Sequence, residues 1–233
     1  PYYYSKMAYD GFKSIGRDDI ITLTRCAYLG SQKFGSLVWS GDIESTFESL
    51  ACQVKAGLNM SMCGIPWWNT DIGGFYGADI TSDYFKELIV RWFQFGLFSP
   101  VMRLHGSRNR HFEPTPGLKE PSGDPNEIWS FGEKNFEILK NLIFIREKLK
   151  PYIITQMDIA SEQGYPVMRP MFFEYPDDET CYALDSQYMF GDDIIFAPVV
   201  EQGQTKKSVY IPDGEWILTK DKKVYRKGTY EVT

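Results

Sequence analysis

Residues 37–42, Leu-Val-Trp-Ser-Gly-Asp, decide the expected fold, because a short apolar run is followed at once by a helical pattern. Apolar residues in that pattern recur three or four positions apart up to Leu58, which is the spacing of an amphipathic helix. The same order of strand, loop and helix is predicted on both sides of this unit. Such alternation favours a parallel sheet with helices on its outside.

The neighbouring units supply the other strands. A β-branched run at residues 20–25 predicts the strand before, and residues 60–65 and 100–105 predict the third and fourth strands. Four strands with their helices fit either half of a (β/α)8 barrel or a small open doubly wound sheet. No G-x-G-x-x-G or Walker loop joins a strand to a helix, which disfavours the nucleotide-binding sheet and favours the half barrel.

The pattern changes after Gly164, where a long helix predicted from Ile128, with a break near Pro151, comes to its end. Short β runs between Gly, Asp and Pro turns follow, which predict an antiparallel sheet or the start of a β-sandwich. We therefore predict a barrel portion over residues 1–164 and a partial β-sandwich domain over 165–233. The predicted β runs are residues 171–173, 188–190, 194–197, 208–211 and 215–218.

Composition narrows the classes of partner. The 31 acidic residues outnumber the 25 basic ones, giving a net charge of -6, so a nucleic-acid binder that neutralises phosphates is disfavoured. No run of 18 apolar residues is present, so no membrane span is expected.

Aromatic residues make up 16% of the chain, and a sugar-binding cleft is one explanation of that excess. The chain starts at Pro1 without a signal peptide, and we expect it to be cut from a longer one.

Cysteine and histidine usage predicts neither disulfides nor a metal. The four cysteines have irregular spacing and lie inside apolar segments, so buried, reduced thiols in a cytoplasmic protein are expected. His105, His111 and the acidic residues show no metal-ligand spacing, so no metal site is predicted. The cysteines are Cys26, Cys52, Cys63 and Cys181.

Polar side chains occur at the same end of all four predicted strands. Arg25 ends the first strand, Asp42 the second and His105 the fourth, while Asp71 follows the third. Because these ends converge on one cleft in a barrel, we expect the four side chains to face one pocket. Two carboxylates among aromatic residues are typical of glycosidic bond cleavage, in which one acid protonates the leaving oxygen and the other stabilises or attacks the anomeric carbon.

Each of these residues also has a purely structural interpretation, which the sequence leaves open. Asp42 could cap the helix that follows, and Asp71 could hold the next glycine turn through its side chain. Arg25 could pair with a buried carboxylate, and His105 could be a core histidine. A serine hydrolase is disfavoured, because the chain has no G-x-S-x-G motif.

Four ordered motifs closely resemble glycoside hydrolase family 31, which contains α-glucosidases, α-xylosidases and related transglycosylases. A fifth stretch, residues 187–199, resembles the family's first β-domain after the barrel. The four motifs are Thr-Arg-Cys-Ala-Tyr-Leu-Gly-Ser-Gln at 24–32, Trp-Ser-Gly-Asp at 39–42, Gly-Ile-Pro-Trp-Trp-Asn-Thr-Asp-Ile-Gly-Gly-Phe at 64–75 and Arg-Leu-His-Gly at 103–106.

The resemblance implies a retaining α-glycosidase that acts on an oligosaccharide or glycoside through a covalent glycosyl-enzyme, without a cofactor. It implies that Asp42 is the general acid/base. Residues that match the binding site for the sugar in subsite −1 are Arg25, Asp71 and His105, with Arg103 nearby and with Trp39 and Phe75 as aromatic walls.

The family's nucleophilic Asp lies before the helix that begins near Tyr3, and no residue of this chain matches it. We therefore expect the isolated chain to be inactive, and the missing barrel half to come from the rest of the polypeptide or from another chain. A homo-oligomer is also compatible with the sequence. An α-glucosyltransferase and a non-catalytic carbohydrate-binding fragment are alternatives. Among the family's members, the motif Arg-Leu-His-Gly at 103–106 favours the α-xylosidase-like ones.

Overall fold

The N-terminal part of the protein builds three parallel strands with helices between them. The structure, a computed structural model, describes residues 1–108 and 123–233. Thr22 lies opposite Ser36 and Val38 opposite Trp68, so spatial order follows chain order, as the half-barrel prediction requires. The elements are α1 (Tyr2–Ser14), β1 (Thr22–Thr24), β2 (Ser36–Trp39), α2 (Phe47–Met62), β3 (Trp68–Asn69) and α3 (Asp83–Leu97), with a short 3-10 helix at Ser31–Phe34.

The helices that follow β2 and β3 begin at capping hydroxyl groups and bury one apolar face. The hydroxyl of Thr46 accepts a hydrogen bond from the Ser49 N–H at the start of α2, at 3.0 Å. Ser82 does the same for the first turn of α3. Such caps satisfy main-chain donors that the first turn leaves free. The buried faces carry Leu50 and Val54 on α2 and Leu88, Ile89 and Trp92 on α3.

Two of the predicted strands differ from the structure. Residues 60–65 do not form the third strand, because α2 continues to Met62 and the chain then turns at Gly64, where φ is +73°. A short apolar run fits a buried helix turn as well as a strand, and here the helix prevails. Residues 100–105 contribute one parallel bridge, between Ile72 and Leu104, instead of a full strand.

A single long helix connects the barrel portion to the rest of the chain. Helix α4, Glu133–Gln163, follows a 3-10 helix at Ile128–Phe131 and runs through Pro151, so the predicted break is wrong. A proline removes one main-chain donor, and the packing of Leu139 and Ile153 in the core holds the helix together on both sides of it. Neither α4 nor any other described helix is both long and apolar enough to cross a membrane.

After Gly164 the chain forms short antiparallel strands, here called the C-terminal β region (residues 168–232). Strands β4, β5 and β6 form one antiparallel sheet, β7 pairs with β10, and β8 pairs with β9. Residues 171–173 are helical, and the strand lies immediately before them. The elements are β4 (Met168–Pro170), α5 (Met171–Glu174), β5 (Tyr188–Phe190), β6 (Ile194–Phe196), β7 (Lys207–Ile211), β8 (Trp216–Ile217), β9 (Val224–Tyr225) and β10 (Gly228–Val232), with a 3-10 helix at Glu179–Ala183.

One hydrophobic core joins the barrel portion to the C-terminal β region. The hydroxyl of buried Tyr188 donates to the carbonyl of Phe98 at the end of α3, at 2.9 Å. The ring of Phe98 also packs on Phe190 and Phe196, with centroids 5.7 and 4.3 Å away. The helices and the β region therefore support each other.

The cysteines differ from the expectation of four buried thiols. Cys181 is buried, whereas Cys26, Cys52 and Cys63 are exposed, and all four are free thiols. Cys52 lies on the exposed face of α2 and Cys63 directly follows that helix. The apolar segments predicted burial, but which face of the helix each thiol occupies decides its exposure.

Candidate active site

Loops at the carboxyl ends of neighbouring strands are tied together by main-chain hydrogen bonds. The Ser40 N–H donates to the Asn69 carbonyl at 3.2 Å, and the Phe75 N–H donates to the Ile43 carbonyl at 2.7 Å. The Ile72 N–H donates to the Arg103 carbonyl at 3.2 Å. These bonds carry the pairing of the strands into the loops, so the residues that follow each strand lie side by side.

Arg25 and Asp42 form an exposed pair at this end of the sheet. Arg25 Nη1 lies 3.9 Å from Asp42 Oδ2, and their side chains are 63% and 43% exposed. Gly41 has φ of +83°, and a Cβ there would lie 2.9 Å from Arg25 Nε, so glycine lets the arginine approach. Because Thr46 caps α2, the interpretation of Asp42 as the helix cap is wrong.

Asp71 forms a second pair beside it, with the partly buried Arg103. The carboxylate is fully buried, and its Oδ1 accepts a hydrogen bond from Arg103 Nη2. Arg103 Nε also donates to Asn69 Oδ1 at 3.1 Å, which fixes the guanidinium plane. Asp71 Oδ2 has no hydrogen-bond partner among the described residues. This pair therefore leaves one acceptor oxygen buried and unsatisfied by the described residues.

The electrostatics of Asp71 link the two pairs. Burial raises the pKa of the Asp71 carboxyl above its ordinary value, and the positive charges of Arg103 and His105 act against that rise. The charge of Asp42 raises the pKa further, and Arg108 lowers it. The carboxylate of Asp42 is thus close enough to influence the ionisation of Asp71.

The glycine turn after Asp71 is held by the main chain. The Gly74 N–H donates to the Asp71 main-chain carbonyl at 2.9 Å, while the side chain is engaged by Arg103. The interpretation of Asp71 as a side-chain support for the turn is therefore wrong.

Two aromatic side chains border the charged groups. The Trp39 ring centroid lies 5.8 Å from the guanidinium carbon of Arg103, within range of a cation–π contact. The Phe75 ring lies 5.6 Å from the ring of His105, which is exposed and so is not a core histidine. Both aromatic rings are partly exposed, so flat apolar faces are available next to the polar groups.

The structure brings the seven predicted residues to one end of the sheet. Arg25 pairs with Asp42, Asp71 with Arg103, and Phe75 with His105. Outside the described residues lie His111 and most of the polar stretch at residues 107–126. In the described part of the chain no group of three His, Cys, Asp or Glu side chains could hold a metal ion. The roles of the seven residues stay predictions.

Sequence reasoning missed Arg108 and Asn69. Arg108 is only 2% exposed, and its guanidinium donates to main-chain carbonyls of the loop after Asp71. Burial lowers the pKa of Arg108 to about 10. An arginine inside a polar stretch gives no periodic signal of burial, so nothing in the sequence pattern pointed to it.

Both parts of the chain match known family models. Residues 1–156 match the TIM-barrel domain of glycosyl hydrolases family 31. The chain belongs to glycoside hydrolase family 31. Residues 164–233 match the family 31 C-terminal domain, so the expected family and the expected fold, part of a (β/α)8 barrel followed by a β-rich region, are confirmed.

Individual members of family 31 are similar to most of this chain. An α-xylosidase of Saccharolobus solfataricus is 35% identical over 212 residues, which are 91% of this chain and 27% of that protein. An isomaltosyltransferase of Sporosarcina globispora is 37% identical over 214 residues, 90% of this chain and 18% of that protein. A solved α-xylosidase from a soil metagenome, complexed with xylose, is 47% identical with a TM-score of 0.92, covering 98% of this chain and 35% of that one. The chain therefore spans about a third or less of these relatives' length.

Proposed function

We propose that this chain supplies the general acid/base of a retaining α-glycosidase, and that Asp42 is that residue. The observation that carries the proposal is the contrast between Asp42, which is exposed and in loose contact with Arg25, and the neighbouring buried Asp71. A group that gives a proton to a leaving oxygen and later takes one from water must be reachable by both. Asp42 meets that requirement, and Asp71 does not.

The other residues are proposed to bind the sugar. Asp71 is held by Arg103, and its Oδ2 has no hydrogen-bond partner among the described residues. We propose that sugar binding exposes this oxygen to a hydroxyl group, whose hydrogen bond would satisfy the buried acceptor. Arg25 and His105 are proposed to bind further hydroxyls. The partly exposed rings of Trp39 and Phe75 are proposed to pack on the apolar faces of the sugar.

The proposed reaction has two steps. Asp42 protonates the glycosidic oxygen as the bond to the anomeric carbon breaks, while a second carboxylate attacks that carbon from the other side. Asp42 then removes a proton from water, whose oxygen displaces the carboxylate and releases the sugar. No residue of this chain matches the second carboxylate, so we propose that it lies outside residues 1–233 and that the chain alone does not turn over glycosides.

An α-xyloside or α-glucoside is the proposed substrate class. Support comes from the solved relative complexed with xylose and from a Flavobacterium johnsoniae dextranase complexed with glucose, 33% identical to this chain. Transfer to another sugar is the second candidate, favoured by the similarity to an isomaltosyltransferase. Product analysis with an added acceptor sugar distinguishes the two.

We also propose that the boundary between the barrel portion and the C-terminal domain lies between residues 164 and 165.

Asp42→Asn in the complete polypeptide that carries this chain tests the proposal. We expect kcat on an alkyl α-glycoside to fall by about 10²- to 10⁴-fold, the usual contribution of a positioned acid/base. An aryl α-glycoside with a good leaving group should lose much less in the first step, because its oxygen leaves without a proton. Steady-state kinetics on both substrates measure the difference.

Glu44→Gln is the matched control, because Glu44 is an exposed carboxylate two residues away. We expect its kinetics to equal those of the unsubstituted enzyme. Unchanged turnover of both substrates by Asp42→Asn would contradict the acid/base role and favour a non-catalytic, carbohydrate-binding role for this part of the polypeptide.

A further inference from the structure

Arg108 directs most of its donors to one short stretch of main chain. Its Nη1 donates to the carbonyls of Gly74 at 2.7 Å and Gly73 at 3.3 Å, and its Nη2 donates to the carbonyl of Ile72 at 3.1 Å. Its Nε donates to Asn126 Oδ1 at 2.8 Å. Three successive carbonyls thus converge on one planar cation.

The loop is shaped around that cation. Gly73 and Gly74 have φ of +89° and +75°, which lets consecutive carbonyls turn toward the same side. A Cβ on Gly73 would lie 3.0 Å from Arg108 Nη2, so the loop and the guanidinium are in close contact. The guanidinium also lies 4.9 Å from the ring centroid of Phe85, which joins the loop to α3.

The stretch held by Arg108 connects two of the proposed sugar-binding residues. Asp71 directly precedes Ile72, and Phe75 directly follows Gly74. All three residues between them are buried, so without Arg108 their carbonyls would lose their donor in a place that water reaches poorly. A change in this loop would shift both ends of it.

We propose that Arg108 is a positioning residue for sugar binding, which sets the places of Asp71 and Phe75 through the main chain between them. This inference rests on the proposed function in one respect, that Asp71 and Phe75 contact the sugar. It does not depend on the role of Asp42.

Arg146 provides a matched control in the same chain. Its guanidinium also donates to three main-chain carbonyls, those of Leu97, Ser99 and Pro100, at 2.6 to 2.9 Å. Burial lowers its pKa to about 10, as for Arg108. These carbonyls lie at the start of the 100–105 segment, whereas the candidate site lies at its end.

The experiment compares Arg108→Met with Arg146→Met in the complete polypeptide that carries this chain. Both variants should unfold at a lower temperature, because each loses three main-chain hydrogen bonds. Only Arg108→Met should bind sugar more weakly, with KM for an aryl α-xyloside or α-glucoside, and Kd for xylose or glucose by calorimetry, raised about 10- to 100-fold.

Asn126→Ala keeps the guanidinium and removes one contact that orients it, so it covers the case in which Arg108→Met fails to fold. It should raise KM and Kd in the same direction by a few-fold, since one neutral partner is worth about 1 kcal/mol. The inference is overturned if folded Arg108→Met or Asn126→Ala binds sugar as tightly as the unsubstituted protein, or if Arg146→Met weakens binding equally. Calorimetry needs no turnover, so failure of the acid/base role of Asp42 is seen separately.

Discussion

The two charged pairs of the candidate site differ in their exposure to solvent. Arg25 and Asp42 are 3.9 Å apart with much of each side chain exposed. Asp71 is fully buried and forms a direct hydrogen bond to Arg103, which Asn69 orients in turn. The same types of charge therefore occur a short way apart in two different environments.

This difference separates two chemical tasks. Water weakens the interaction between exposed charges and lets a carboxyl exchange its proton, which suits the proposed role of Asp42. A buried carboxylate held by a guanidinium keeps its place before the ligand arrives, and water competes little for its free oxygen. Asp71 is thus suited to recognise a hydroxyl group, and not to act as a general acid/base.

The largest expected effect comes from removing the positive partner of Asp71, and the exposed pair supplies the comparison. Arg103→Met leaves the buried carboxylate of Asp71 without its cation, and we expect a loss of about 3 kcal/mol or more in the free energy of unfolding. Arg25→Met, the same substitution in the exposed pair, should cost at most about 1 kcal/mol. Denaturant unfolding of both variants measures the difference, and equal losses would contradict the contrast between the pairs.

The pH dependence of stability gives a smaller effect with a definite sign. Burial raises the pKa of Asp71 in the folded protein above the ordinary value of 3.8. The folded state therefore holds the proton more tightly, so this group stabilises the fold below that value and the stability is lost as pH rises through the folded pKa. Asp71→Asn does not titrate, and its stability relative to the unsubstituted protein should rise from pH ~3 to pH ~7. Thermal unfolding across this range measures it.

Asp178 in the C-terminal β region is the control with the opposite sign. Hydrogen bonds from Tyr210 and then Lys227 lower the pKa of Asp178 to about 2. Its stabilisation is present above pH 3.8 and is lost as pH falls through the folded pKa, so Asp178→Asn should become relatively less stable as pH rises. A parallel trend in the two variants would show that burial does not dominate at Asp71.

Much of the fold follows from features that a sequence displays. The helices of the barrel portion have apolar faces of helical period and capping hydroxyl groups, at Thr46 for example, and these are local signals. The strands are harder to predict from the sequence, because β3 has only two residues and the 100–105 segment makes only one bridge. The carbonyls of Ser99 and Pro100 bond to Arg146, a partner far along the chain that no local pattern reveals.

The candidate site divides in the same way. Residues such as Asp42 and Asp71 could be predicted, because strand ends in a barrel converge and the sequence fixes which side chains follow each strand. Their exposure could not be predicted, because it depends on neighbours such as Asn69 and Arg103. Arg108 was missed because it binds main-chain carbonyls. Every residue has such a carbonyl, so no amino-acid type in the sequence marks the partner.

The smallest expected effect is that of Asp42→Asn on stability. The exposed pair with Arg25 should contribute about 0 to 1 kcal/mol to folding. Salt at about 1 M should remove even that, because the screening length is then about 3 Å, shorter than the separation of the two charges. We expect the variant to unfold at the same temperature as the unsubstituted protein at high salt, measured by calorimetry. A large loss of stability would mean that Asp42 supports the fold, and a fall in turnover would then no longer identify it as an acid/base. Unchanged stability with lost turnover would instead assign the effect to chemistry at this carboxyl group.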